Sequence, residues 1–252
     1  MNSGMTESGR LWPATSLTRR FRFGLLLFGL AVWPAASLVA LGTYAEGYAV
    51  VQLIRLEESG LFMNSYEGKF KIASYDKDEQ CSEDDYLCYA PIAVEQRFSV
   101  RPENKELIGF LKDNDGREML VQYRIHRVEP MGLSSDFEVT EAKAWAENPA
   151  EDMNPEFGIE KSGRLRSFPV YGRVIRFDYR GTVVGTWEGL YLDARRRKVH
   201  PFSITDQSMA DYIIKAIQSR RQYHFLVSQA YVVTIRESDH DIYAIDYVKA
   251  PR

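Results

Sequence analysis

Apolar and polar residues alternate with a period of two over most of the chain from residue 46 onward, the spacing of half-buried strands. The first such stretches are 46–57 and 61–72, joined at Glu58-Ser59-Gly60 as a hairpin, followed by a strand from Ile92 to Val100. The period then changes. Pro102 suits a first helical position, Leu107, Ile108 and Leu111 recur at helical spacing, and Asp113 to Gly116 stops the helix. Met119, Val121, Tyr123 and Ile125 alternate as a fourth strand, and Phe137 to Trp145 gives a fifth. The pattern then repeats: strands at about 166–178 and 182–193, a turn at Arg195 to Arg197 and a strand to Ile204. Thr205 is the candidate N-cap of a helix burying Met209, Ile213, Ile214 and Ile217, and strands at about 222–236 and 241–249 follow.

The second half is a copy of the first in residues as well as in order. Ile54, Arg55, Gly60, Glu67 and Gly68 return 121 positions later as Ile175, Arg176, Gly181, Glu188 and Gly189. Phe98-Ser99-Val100 returns as Phe202-Ser203-Ile204. Strand, strand, strand, helix, strand, strand, given twice, is the element order of the OB fold, a five-stranded barrel. The expected fold class is therefore mainly β with α: two tandem OB-like five-stranded barrels, each with one helix between strands 3 and 4. A pair of small α+β sandwiches has the same element order. The expected modules are residues 45–145 and 164–252, joined by a linker at 146–163 that contains Pro149, Pro155, Gly158 and Gly163.

Ahead of the modules, residues 1–22 read as a polar tail ending in Arg19, Arg20 and Arg22, and Phe23 to Tyr44 carries no charge. About 20 apolar residues suffice to span a bilayer, so 23–44 is expected to be a transmembrane helix. Arginines before it and Glu46 after it put the modules outside the cytoplasm. The expected location is the bacterial inner membrane, single-pass. The competing reading is a signal peptide cleaved near Ala40-Leu41-Gly42 or Thr43-Tyr44-Ala45, which leaves a periplasmic or secreted protein.

Charge is unevenly spread. Residues 46–128 carry a formal −5, 129–163 carry −7 and 164–252 carry +6, against a total of −3. The acidic first copy and linker should attract the basic second copy, and each copy should fold by itself. Cys81 and Cys88 are the two cysteines. Outside the cytoplasm they should pair, in a ring short enough to contribute about 2–3 kcal/mol; two free thiols are the alternative. The acidic residues around them lack the spacing of a calcium loop, and His126, His200, His224 and His240 lack metal-ligand spacing, so no metal or cofactor is expected.

Tyr44 to Leu56, followed by Ser65-Tyr66-Glu67-Gly68, resembles a group of small, uncharacterised bacterial membrane-anchored envelope proteins. Their pattern places glycine-flanked strands before a Lys-Thr-Trp/Tyr-Glu-Gly run and a Phe-Ser-Val run. Those proteins have one copy; this chain has two. It departs from the pattern at Asn64 and Gly185, where the pattern has lysine, and near the turn at Glu58 and Tyr179. A basic site carried by those lysines is therefore not transferred. Some members carry a sugar-phosphate dehydrogenase label, but Gly181, Gly185 and Gly189 have the wrong spacing for a dinucleotide loop and lie in a hairpin.

The functional expectation is a membrane-anchored envelope protein presenting two binding or scaffolding modules, without catalysis. An envelope enzyme with its site in the groove between modules is the alternative, with Trp187, Glu188, His200 and His224 as the residues to vary. Tyr66, Glu67, Trp187, Glu188, Arg55 and Arg176 are the candidate ligand-binding residues, on the face where OB folds bind extended ligands. Arg195, Arg196, Arg197, Lys198, Arg220 and Arg221 form the candidate anion or partner patch. The expected partners are the lipid bilayer through residues 23–44 and an envelope protein or anionic envelope polymer, with no nucleic acid.

Overall fold

In the first copy, alternation along the opening strand decides which face turns inward. The strand β1 (Thr43–Ser59) buries Ala45, Gly47, Ala49, Val51 and Leu53 and turns the residues between to its other face, where Glu46 and Gln52 are exposed and Tyr48 and Val50 half-buried. It joins β2 (Ser65–Lys77), β3 (Tyr89–Val100), the helix α1 (Lys105–Asp113), β4 (Glu118–His126) and β5 (Phe137–Ala144). The computed structural model describes residues 42–59, 64–77, 89–146, 156–159, 164–181, 185–230 and 236–247.

These five strands close on themselves. β1 pairs with β4 through its first half and with β2 through its second. β2 pairs with β3, β3 meets β5 in parallel at Ser99 and Glu138, and β5 pairs with β4. The ring leaves no free edge inside the copy. Phe70, Phe98, Tyr123 and Phe137 fill it, with Leu107, Ile108 and Leu111 of α1 packed against them. Asn104 caps α1 by accepting from the Leu107 amide, while its own amide group donates to the Thr140 carbonyl.

The second copy repeats the order with β7 (Arg164–Gly181), β8 (Gly185–Asp193), β9 (Lys198–Ile204), α2 (Gln207–Ile217), β10 (Tyr223–Ala230) and β11 (His240–Tyr247). Its ladders run β9–β8–β7–β10–β11. β9 and β11 lie side by side without a described ladder, bridged where Ser238 donates its hydroxyl to the Pro201 carbonyl and its amide to Ser203. The chain is thus mainly β with two helices, in a repeated OB-like β fold. The cap of α2 is Asp206, one residue beyond the expected Thr205, because its carboxylate reaches the Met209 amide at 2.9 Å.

Two observations bear on the expected boundaries. Thr43 and Tyr44, expected to end the membrane span, open β1, where Thr43 pairs with His126. The rest of the span falls outside the described residues, apart from Gly42, and no described helix is long and apolar enough to cross a membrane. Within the expected linker, β6 (Glu156–Gly158) adds to the free edge of β11.

The copies share one sheet. The first half of β1 also pairs with the second half of β7, Gly47 opposite Asp178. A Cβ on Gly47 would stand 2.3 Å from the Phe177 carbonyl oxygen, so only glycine permits this approach. At this seam Asp178 is fully buried and accepts from the Tyr123 hydroxyl at 2.6 Å, from Arg176 Nε at 2.9 Å and from Arg180. Arg180 continues to Glu237. Burial pushes the Asp178 carboxyl above its usual range, against the pull of Arg176 and Tyr123.

His200 is wholly buried beside Tyr191 and Tyr89, and neither ring nitrogen has a hydrogen-bond partner among the described residues. Burial drops its pKa from 6.5 to about 4. The unfolded chain therefore binds a proton there between about pH 6.5 and 4 that the folded chain refuses. Stability present above pH 6.5 should fall progressively toward pH 4, by about 3 kcal/mol from this group. His240, lowered in the same direction by burial, adds to the slope. His200→Phe should flatten the dependence of the unfolding midpoint on pH in this window; an unchanged slope would show that His200 does not cause it.

Candidate functional site

The repeated motif residues are engaged in holding the fold. Glu67 accepts from Ser65 and Ser99 hydroxyls, both at 2.6 Å, and from the Ser134 amide at 3.2 Å. Glu188 does the same with Thr186 and Ser203, both at 2.5 Å, and with the Glu237 amide at 3.3 Å. In both copies a carboxylate ties the second and third strands to the loop before the fifth. Burial pushes Glu188 above its usual range, while Ser203, Thr186 and the Glu237 amide hold it down. The following glycines, Gly68 and Gly189, lie under the rings of Phe98 and Phe202, each 2.3 Å from where a Cβ would stand.

The other candidate ligand residues do not converge. Tyr66 donates to Glu58 and lies under the Lys112 ammonium. Trp187 stacks on Phe177 and donates to Gln207. Arg55 pairs with Glu57 at the surface. Arg176 belongs to the seam; although burial disfavours its charge, Tyr123 and Asp178 hold the guanidinium above its usual range. Where the copies meet, Tyr75, Arg176, Arg180, Glu188 and Glu237 leave about 20 Å³, room for one water, and Tyr48, Leu120, Gln122, Glu141, Lys143 and Gln218 line a second pocket of about 140 Å³. In the first copy His126 faces Glu138 at 2.7 Å, but Arg101 takes the other carboxylate oxygen and no described hydroxyl bonds to His126. Cys81 and Cys88 lie outside the described residues.

The basic patch divides. Arg220 sits at the seam, paired with Glu118 at 3.1 Å and set over Trp145. Arg221 follows it, its amide donating to Ser219. Arg195, Arg196 and Arg197 form the turn between β8 and β9, with Arg197 in the left-handed region (φ 54°), and Lys198 opens β9. Asp193 organises this turn: one carboxylate oxygen accepts from the amides of Arg195 and Arg196, at 2.8 and 3.0 Å.

Arg195 and Arg196 line a cleft of about 660 Å³ on the outward face of β7, β10, β11 and β6. Two cross-strand rows make its floor. Tyr171, His224, Asp246 and Glu156 lie in one register, and Pro169, Leu226, Ala244 and Gly158 in the next. Arg195 stands 5.8 Å over the Tyr171 ring, which meets His224 edge-on at 5.0 Å. Leu226 is 40% exposed, a large apolar side chain on an open face.

The same face exists in the first copy and is covered. There Tyr48 and Val50 stand where the second copy has Pro169 and Tyr171, and Gln122 and Leu120 where it has Leu226 and His224. The second copy's core closes over Tyr48, Val50 and Leu120. Trp145 donates to the Ile217 carbonyl at the end of α2, and Lys143 to Gln218. Of the cleft lining, sequence analysis named Arg195, Arg196 and His224 in other roles and missed Tyr171, Leu226 and the rest of the floor. The available signal was Leu226, an apolar residue at an outward position of a strand that alternates Tyr223, Phe225 and Val227 inward.

No curated protein matches the chain. Among solved structures it is similar to a deletion mutant of the single-stranded DNA binding protein from Thermus aquaticus, at 10% identity and a TM-score of 0.24, covering 84% of this chain and 97% of that one. The description of that neighbour as a single-stranded DNA binding protein stands against the expected exclusion of nucleic acid from the partners, and that exclusion is withdrawn; the likeness assigns no ligand to this chain. The model of a domain of unknown function, DUF8785, matches residues 42–148 and again 163–251. The chain belongs to this family of uncharacterised domains and carries two tandem copies of its domain.

Proposed function

We propose that this chain is a two-module binding protein in which the first module braces the second, and the second presents the binding face. One observation carries the reading: the same outward face packs against the second copy's core in the first copy and is open in the second, where it forms a cleft of about 660 Å³. Pockets of this size, largely apolar with a few fixed polar groups, are typical of small-ligand sites. Among the described residues that line the cleft none is a nucleophile beside a base, and the chemistry they offer is recognition. The modules serve as binding or scaffolding units, as the repeated architecture suggests.

The test is a fragment screen by protein-observed NMR on the full chain. Ligand-induced shifts should cluster at Tyr171, His224 and Leu226, and Leu226→Asp should remove them. A single-stranded oligonucleotide is titrated in parallel. Shifts that cluster elsewhere, for fragments or oligonucleotide, would sink the assignment of this cleft as the binding face.

A further inference from the structure

We propose that the cleft takes a small organic anion: a carboxylate or phosphate carried on an apolar body about the size of one ring. This rests on reading the open face of the second module as the binding face. The cationic wall is prebuilt. Asp193 fixes the amides of Arg195 and Arg196, and the Ala194 amide donates to the Tyr171 carbonyl at 2.8 Å, so the turn is anchored to β7. Asp193 also lines the cleft, but it is only 4% exposed and one of its carboxylate oxygens is held by the turn amides, so the two guanidiniums outweigh it at this wall. Among the described residues neither Arg195 nor Arg196 has an ion-pair partner, and a guanidinium presents a fork of donors matched to carboxylate and phosphate.

The remainder of the cleft sets the ligand's size and direction. Pro169, Leu226 and Ala244 offer an apolar floor beside the Tyr171 ring. Four strands at about 4.8 Å spacing make the floor about 14 Å wide. On the far side Glu156 is acidic, and Asp246 lies 3.6 Å from His224 Nδ1. An anionic group is therefore favoured at the β8–β9 turn and repelled at β6, which orients the ligand along the floor. A polymer would need a continued cationic track. Among the described residues Arg220 does not extend one, because it is committed to Glu118 and Trp145 at the seam.

The experiment titrates the full chain with phenyl phosphate, 3-phenylpropionate and the uncharged 3-phenylpropanamide. Both acids should bind, and the amide roughly tenfold or more weakly. Arg195→Gln combined with Arg196→Gln should lower acid affinity by about the same factor and leave amide affinity and the unfolding midpoint unchanged. Leu226→Asp should remove binding of acid and amide alike. Equal binding of acid and amide, lost in Leu226→Asp, would overturn the anion assignment and leave the binding face standing. Acid binding that survives both the arginine and Leu226 variants would place the probe elsewhere and overturn it as well. A cleft silent to all three probes and to the fragment screen would overturn both readings.

Discussion

Replacing Asp178 by alanine should destabilise the folded chain by about 3–5 kcal/mol, the usual cost of removing one partner from a buried ionic cluster. The carboxylate is fully buried and holds three donors from two modules: Tyr123 from the first, and Arg176 and Arg180 from the second. Without it the half-buried guanidiniums and the buried tyrosine hydroxyl face each other unpaired. Tyr123→Phe removes a single hydrogen bond to that carboxylate and should cost less, about 1.5–3 kcal/mol. Asp178→Asn keeps the shape and should fall between wild type and alanine. The measurement is the urea unfolding midpoint at constant slope. A loss below about 1 kcal/mol for Asp178→Ala would mean that water reaches the seam and solvates the arginines.

The same cluster revises how the modules hold together. The sequence divides into an acidic half and a basic half, which suggests attraction across space. The structure joins them instead by a strand ladder from Ala45 to Ala49, by Trp145 buried against the second copy, and by Asp178 shared between them. Exposed charges contribute at Arg220 and Glu118. Exposed pairs are screened by salt, whereas ladders and buried clusters are screened far less. If the two halves are made separately and mixed, their association should persist at high salt. Dissociation at high salt would restore the charge explanation.

How much was legible follows from this. Alternation gave the barrel strands, because one-sided burial in a closed ring imposes a period of two, and the repeat gave the tandem copies. The helices were placed between the third and fourth strands because Leu107, Ile108 and Leu111 in one copy, and Met209, Ile213 and Ile217 in the other, change the period there. The seam was not legible. Asp178 and Arg180 have the composition of a solvated strand end, and only the approach of Gly47 shows that another strand covers them. Glu67 and Glu188 pointed to a ligand face because a repeated acidic residue beside an aromatic suggests recognition. Their partners were nonetheless on the page, since Ser65 and Thr186 stand two residues earlier, and Ser99 and Ser203 follow the repeated phenylalanines. Read together, those positions describe an internal hydrogen-bond network that occurs twice. The cleft escaped because it depends on which copy of one face is covered, and a repeat makes the two faces look equivalent.

Phe202→Ala and Gly189→Val should be strongly non-additive. Phe202 is fully buried, stacked 5.7 Å from Phe177, and its ring covers Gly189 across the β8–β9 ladder. Its removal should cost about 3–5 kcal/mol through lost burial and the cavity left behind. In the intact protein Gly189→Val should cost about 1–3 kcal/mol or more, because its Cβ would stand 2.3 Å from the Phe202 ring and 2.9 Å from Phe177. In the Phe202→Ala background the valine enters space that the ring has vacated. Its clash with Phe202 is gone, a branched side chain suits the strand, and the cavity shrinks. The approach to Phe177 remains, so the double variant should lose less than the sum of the two single losses, a coupling of about 1–3 kcal/mol. Gly68 and Phe98 repeat the pair in the first copy, with the same 2.3 Å approach. A cycle there should return a coupling of the same sign. Additive losses in both copies would mean that the glycines are required by the backbone and that the rings merely lie near them.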